Sequence, residues 1–343
     1  IYTPPLRAAL PISLAPRTDY DTWDSIVART EPMGGRPARA PDDTAMIIYT
    51  SGSTGQPKGV MHCFENITRA SEGITADIKS RVGNLPENRI MSYLPLAHVF
   101  ERAWVESASL VDGNTHVYFA ETLDTFLADL NRARPTTFIS VPRLWLKFQQ
   151  GVFTKMPPKK LDRLLSIPIL GRIVGRKVLK GLGLDQALLA GSGSAPIPAD
   201  LIAWYRRLGL NLIEGYAMTE DFAYSHNSTE AINEPGCVGV PLAGVKVRIS
   251  DEGEILIKSP GAMTGYYKRP ETTADVFDED GYYMTGDVVA ELGPDHLKYL
   301  DRVKNVLKLA QGEFVAVSKL EAAYTSSPLV RQIFVYGNSE RSF

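Results

Sequence analysis

The sequence predicts an α/β fold in which a larger part with a mainly parallel sheet is followed by a smaller β-rich part. Two observations carry this expectation. From Thr44 to about Tyr224, short apolar runs alternate with amphipathic segments, the pattern of βαβ units. After Gly236, apolar and charged residues alternate one by one around short turns, the pattern of antiparallel hairpins. A chain of 343 residues is long enough for two domains or one large one with a sizeable core.

Residues up to about Pro41 are rich in Pro and Arg, with one short amphipathic piece at Trp23 to Val27. The apolar run Ala45 to Ile48 reads as a strand, as do Ile90 to Leu94, Thr115 to Phe119, Thr137 to Val141, Ala187 to Leu189 and Leu210 to Ile213. Between them, Leu123 to Arg134 places Leu123, Phe126, Leu127 and Leu130 on one helical face. Val245, Val247 and Ile249 then alternate with Lys246 and Arg248. A turn at Asp251-Glu252-Gly253 leads into a second strand, Glu254 to Lys258. No internal repeat is visible.

The first apolar run empties into Tyr49-Thr50-Ser51-Gly52-Ser53-Thr54-Gly55-Gln56-Pro57-Lys58-Gly59. Its four Ser/Thr hydroxyls and three glycines surround one lysine. Glycine lets backbone N–H groups approach anionic oxygens closely, so such a loop can wrap a polyphosphate. The ordinary P-loop spacing is not kept, because Pro57 stands where its second glycine belongs and Gly59 where its magnesium-binding hydroxyl belongs. The plain alternative is a solvated Ser/Gly/Thr turn.

Gly215-Tyr216-Ala217-Met218-Thr219-Glu220 follows another strand and offers a ring for a base, a hydroxyl for a phosphate and a carboxylate for a metal. Gly191-Ser192-Gly193-Ser194-Ala195-Pro196 reads either as a helix-start turn with Ser194 as cap or as a second ligand loop. Thr285-Gly286-Asp287 and Asp301-Arg302 hold a carboxylate of the type that grips vicinal ribose hydroxyls. His98, in Leu94-Pro95-Leu96-Ala97-His98-Val99-Phe100-Glu101-Arg102, is by itself more often a satisfied core residue.

In this order the motifs closely resemble the adenylate-forming superfamily of acyl-CoA synthetases, luciferases and nonribosomal adenylation domains. The loop alone matches over eleven consecutive residues. The resemblance runs from about Asp21 onward. It implies a large adenylating domain of βαβ-type sheets flanked by helices (1–235, its N-terminal part missing), a small β-rich subdomain (236–300), and the start of a small mobile C-terminal domain (301–343). By the same resemblance Thr50, Ser51, Gly52, Ser53, Thr54, Gly55 and Lys58 form the loop on the ATP β- and γ-phosphates. Gly193, Ser194, Ala195 and Pro196 pack on the adenine. Glu214 and Gly215 border the nucleotide, Tyr216 stacks on it, Thr219 contacts the α-phosphate and Glu220 binds Mg2+. Asp287 and Arg302 hold the ribose, and Asp301 is the hinge. The chain departs from the pattern at Ala217, where relatives more often carry glycine, and Asp221 is an additional charge.

His98 and its neighbours, together with Asn131 to Trp145, look like the long-chain fatty acyl-CoA synthetases, in which this histidine lies against the acyl carboxylate. Asn305 to Val315 and Ser327 to Ile333 resemble instead the adenylation domain of carboxylic acid reductases. The lysine that relatives carry near the end of the small domain has no counterpart before Phe343. The resemblance therefore implies activation of a fatty acid by ATP to acyl-AMP, with pyrophosphate released, and transfer to coenzyme A. The alternatives are a reductase adenylation domain passing its acyl group to a carrier protein and a nucleotide-binding protein without turnover.

Composition bounds the partners. The 37 basic and 39 acidic residues nearly cancel, which disfavours nucleic acid. Two cysteines, Cys63 and Cys237, read as small buried hydrophobes in a reducing, cytoplasmic setting. His62, His116, His226 and His296 show no metal-ligand spacing. The basic, apolar segment 154–184 suits either a membrane-surface helix or helices with a solvated basic face, interrupted at Pro157, Pro158 and Pro168. Beginning at Ile1 and ending mid-pattern, the chain reads as a fragment.

Overall fold

The computed structural model describes residues 22–32, 34–35, 37–50, 56–229, 234, 236–293, 296–303, 306–308, 314–317, 320–321, 324, 330 and 333–335. The chain divides into two compact units, Ile1–Ala40 and Pro41–Phe343. In the first, helix α1 (Trp23–Arg29) starts at a reciprocal cap. The Ser25 amide donates to Thr22 Oγ1 at 3.2 Å and the Thr22 amide to Ser25 Oγ at 3.0 Å.

In the second unit β1 (Thr44–Thr50) runs antiparallel to β2 (Lys58–Cys63), with Thr50 opposite Lys58. These two paired ends flank the hydroxyl-rich segment 51–55, which lies outside the described residues. Helix α2 (Phe64–Val82) follows and buries Ala70, Ile74 and Ile78 along one stripe. Next comes β3 (Asn88–Ser92), then a π-helical stretch, Glu101–Ser107, that continues into α3 (Ala108–Asp112), and β4 (Thr115–Phe119) parallel to β3. Helix α4 (Phe126–Ala133) leads to β5 (Thr137–Ser140).

Three helices cover the segment 142–181: α5 (Pro142–Lys155), α6 (Pro158–Leu165) and α7 (Pro168–Gly181). Each begins on a proline, whose missing N–H costs nothing in the first turn. The prolines divide the basic segment as the sequence predicts.

Strand β6 (Leu189–Ser192), α8 (Ala199–Leu208) and β7 (Leu212–Tyr216) follow, and then β8 (His226–Asn227), β9 (Cys237–Pro241), β10 (Lys246–Ile249), β11 (Glu254–Lys258) and β12 (Gly265–Tyr266). After α9 (Pro270–Ala274) come β13 (Tyr283–Gly293), β14 (His296–Arg302), and the antiparallel pair β15 (Val306–Lys308) and β16 (Phe314–Ala316).

Among the described strands the largest sheet has the order β10-β11-β13-β14-β9-β8-β7-β6-β5. Among the described strands β3-β4 and β5-β6-β7 pair in parallel, as expected for the first part, and the nine-stranded sheet as a whole is mixed because antiparallel strands extend it. The β-rich part is not a separate sheet. It continues the parallel strands through β8 and β9. The hairpin β10-β11 is as read, with Lys246 and Arg248 exposed and Val247 and Ile249 half-buried.

Two apolar clusters hold these layers. One centres on Phe138, Trp145, Leu161, Ile202 and Tyr205. The Trp145 indole N–H donates to the Gly191 carbonyl at 3.2 Å, and the Tyr205 hydroxyl to the Trp145 carbonyl at 2.7 Å, which ties α5 and α8 to the end of β6. The other packs α2 and the π-helical stretch against Ile213, Phe222 and Tyr224. Burial of each such side chain contributes roughly 1.5–3 kcal/mol.

Gly73 shows how tight this second cluster is. A Cβ there would sit 2.2 Å from the hydroxyl oxygen of Tyr224, which is itself buried and donates to the Ala243 carbonyl at 2.9 Å. Alanine gains about 1 kcal/mol of helix propensity over glycine, and overpacking costs about 1–3 kcal/mol. Gly73→Ala should therefore lower stability despite its better propensity, read as a lower urea midpoint. A raised midpoint would show that Tyr224 yields freely.

Candidate functional site

A cleft of about 800 Å³ opens beyond the carboxyl ends of β6 and β7, where ligands of α/β sheets bind. Thr50 and Lys58 border it, as do His98, Gly193, Ser194, Gly215, Tyr216, Thr219, Glu220 and Arg302. Ser51, Gly52, Ser53, Thr54 and Gly55 lie outside the described residues, between Thr50 and Lys58. Ala195 and Pro196 are exposed and do not border the cleft. Neither does Glu214, which is buried behind it and accepts the Gly236 amide on Oε2 at 2.7 Å. Burial pushes the Glu214 carboxyl up to about 6 against the pull of that bond.

Glu220 sits in a single 3₁₀ turn, Thr219–Asp221. Its Oε1 accepts the Tyr266 hydroxyl at 2.8 Å, and the Lys58 ammonium lies 4.8 Å from the centre of the same ring. Tyr266 reaches both because β12 pairs with β2, with Tyr266 opposite Val60. On β2 as well, buried His62 contacts the Thr219 carbonyl through Nε2 at 2.8 Å. Burial holds the His62 pKa down at about 4, so the ring is neutral and Nε2–H is the donor.

Asp221 is not a second ligand. It is buried, and its Oδ1 accepts the amides of Met218 at 3.0 Å and Tyr224 at 3.3 Å, pinning the turn that presents Glu220. Ala217, for its part, packs against the second apolar cluster.

Tyr216, Asp287 and Arg302 meet at the other side. The Tyr216 hydroxyl donates to Asp287 Oδ2 at 2.7 Å, and Arg302 Nε lies 3.0 Å from Oδ1. The strand register places Asp287 opposite Arg302, and Arg302 Nη1 donates to the Thr285 carbonyl at 3.1 Å. Burial raises the Asp287 carboxyl, while Arg302 and the Tyr216 bond draw it back down.

Ser194 adopts the left-handed region at φ +69°, a costly conformation for a residue with a side chain. It does not cap the helix that follows. The residue before α8 is Pro198, and no side chain caps that end.

His98 is exposed on the cleft wall rather than packed in the core. Its Nδ1 accepts the Phe100 amide at 3.2 Å, so the neutral ring carries its proton on Nε2. Partial burial lowers its pKa and favours that neutral form.

Among the described residues no group of three or more His, Cys, Asp or Glu side chains is disposed to hold a metal. A single carboxylate at Glu220 fits magnesium, which takes one or two carboxylates and completes its shell with phosphate oxygens and water. Cys63 and Cys237 are buried and free. His226 bonds Ser225 Oγ at 2.7 Å, and His296 lies 2.7 Å from the Cys237 sulfur. His62 and Tyr266 are the contributors that motif reading missed. Tyr266 sits in a two-residue strand with no pattern, and only the alternation Val60-Met61-His62 hinted at an inward His62.

The chain belongs to the AMP-binding enzyme family, whose profile matches residues 9–267. Over 340 residues it is 40% identical to a carboxylic acid reductase of Segniliparus rugosus, covering 94% of this chain and 28% of that protein. It is 33% identical to human long-chain-fatty-acid–CoA ligase 1 over 333 residues, covering 89% of this chain and 47% of that one. The adenylation domain of the Segniliparus rugosus reductase, solved with AMP and a co-purified carboxylic acid, superposes with a TM-score of 0.72 at 37% identity, covering 94% of this chain and 52% of that one. The chain thus spans under a third of the reductases and about half of the synthetases it matches.

Asp221 yields a pH prediction. Burial raises its carboxyl from 3.8 to about 8. Between those values the folded chain keeps a proton that the unfolded chain has released, so stability falls as pH rises through the window. Asp221→Asn keeps an acceptor for both amides and cannot ionise. It should flatten the loss of stability between pH 5 and pH 8 seen in urea titrations; an unchanged slope would show that Asp221 titrates normally.

Proposed function

We propose that the chain activates a carboxylic acid with ATP. A carboxylate oxygen attacks the α-phosphorus, the bond to the bridging oxygen breaks, and acyl-AMP and pyrophosphate form. A thiol then attacks the acyl carbon and releases AMP as the thioester forms. The observation that carries this reading is the meeting in one cleft of Lys58 and Glu220, both touching Tyr266, with Tyr216 and Arg302, which are joined through buried Asp287 behind the lining.

The carboxylate is itself the nucleophile, so the chain's task is to align it and to stabilise charge. Lys58, with the hydroxyls of the motif around it, would serve the leaving pyrophosphate, and Thr219 the α-phosphate. Asp287 and Arg302 take the ribose, and Tyr216 the adenine. His98 offers Nε2–H to the acyl carboxylate. Magnesium held by Glu220 would neutralise phosphate charge.

The His98 segment supports a fatty acid as substrate and coenzyme A as acceptor. The 40% identity to a carboxylic acid reductase supports a second reading, in which a carrier-protein thiol takes the acyl group. The thioester product separates the two. Acyl transfer to free coenzyme A supports the first, and transfer only to a carrier supports the second.

Peripheral docking on an anionic membrane surface belongs to the first reading. On α7 Ile169 is 78% and Ile173 59% exposed, among exposed Arg172, Arg176, Lys177 and Lys180. No described helix is long and apolar enough to cross a membrane. Cosedimentation with anionic vesicles should be lost in an Ile169→Asp, Ile173→Asp variant; equal pelleting of both proteins would remove this contact.

The central test is ATP–pyrophosphate exchange in the full chain. Lys58→Ala should lower kcat by about 10²–10³. Asp287→Ala should mainly raise the KM for ATP, because a ribose contact is similar in ground and transition states. Near-normal exchange by Lys58→Ala would sink the phosphate-loop role, and an unchanged KM in Asp287→Ala the ribose role.

A further inference from the structure

Trp104 lines two cavities. One is the main cleft, whose apolar part is formed by Ile139, Leu189, Ile213 and Ala223 beside the indole. The other is a separate pocket of about 230 Å³, lined on its apolar side by Ile78, Val82, Ile90 and Ala108 and again by Trp104. The indole is only 7% exposed.

Its position is fixed from both ends. The Nε1–H donates to the Ala223 carbonyl at 3.0 Å, and the ring packs on Phe100 with centroids 6.4 Å apart. Trp104 lies within the π-helical stretch Glu101–Ser107, a geometry that is rare and concentrates at functional sites. His98 stands just before this helix and borders the same cleft, six residues ahead of Trp104 in the chain.

We propose that Trp104 sets the length of the acyl chain that the cleft accepts. The indole is the partition between the cleft and the second pocket, and the methyl end of a short or medium aliphatic acid stops against it. This rests on the carboxylate-activation reading. The second pocket is reserve volume, apolar where it meets the indole and polar at its far side, where Asn88 and the Lys79–Asp112 pair line it. Removing the partition joins the two spaces and admits longer chains.

The test is ATP–pyrophosphate exchange in the full chain on saturated acids from short to long, with Trp104→Ala and the milder Trp104→Leu, which preserves more of the core should the alanine variant fail to fold. The expected result is an optimum moved to longer acids, with kcat/KM rising about fourfold for each methylene that enters the opened pocket. Ala108→Leu, placed in the Trp104→Ala background to refill that pocket, should move the optimum back. A chain-length profile unchanged in shape, with all acids slowed by a common factor, would overturn the proposal and leave Trp104 a packing residue. A wild-type chain inactive on every acid would fail differently: it removes the activation reading, and the partition with it.

Discussion

Four backbone carbonyls in one short turn are held by donors from outside it, and the cleft depends on that restraint. The Thr219 carbonyl meets His62 from β2, and the Glu220 carbonyl accepts the Met263 amide at 2.7 Å. The Ala223 carbonyl accepts from Trp104, and the Tyr224 carbonyl accepts Ser259 Oγ at 2.8 Å. Phe222 and Ala223, at φ +54° and +55°, occupy a region that costs free energy for residues with side chains. The surrounding donors and the buried Asp221 hold them there. Glu220 is thereby presented to the cleft on a fixed base.

The electrostatics of the site divide along the same lines. Groups that support the turn are buried and favoured in their neutral forms, as His62 and Asp221 are. Groups assigned to ligands stay at the cleft. Asp287 is intermediate: buried, yet steadied by Arg302 and by a hydroxyl from Tyr216.

Much of this was legible in the residues. Strand β4 fell on Thr115 to Phe119 as read, and β3, β5 and the hairpin β10-β11 within two residues. Strand β6 lies later than Ala187 to Leu189 because its second half is Gly191-Ser192, which carries no apolar signal. Periodicity reports which face is buried, not which neighbour a strand pairs with, so the mixed character of the sheet was hidden. Motif residues such as Tyr216, Glu220 and Asp287 were visible because their spacing is local. His62, Tyr266 and Trp104 were not, since each acts across the fold on a partner 46 to 157 positions away. Asp221 read only as an additional charge, and its burial shows it to be a structural acceptor.

The continuity of the large sheet across positions 227 to 237 has a mechanical consequence. Tyr216 on β7 and Asp287 on β13 belong to one hydrogen-bonded lattice, linked through β8, β9 and β14. Tyr216 and Asp287 therefore sit on a single stiff jaw rather than on two fingers, and they cannot part without breaking strand ladders. Any compliance at this end of the cleft has to come from elsewhere in the chain, and on the proposed reading a ligand there meets a frame whose spacing is set before it arrives.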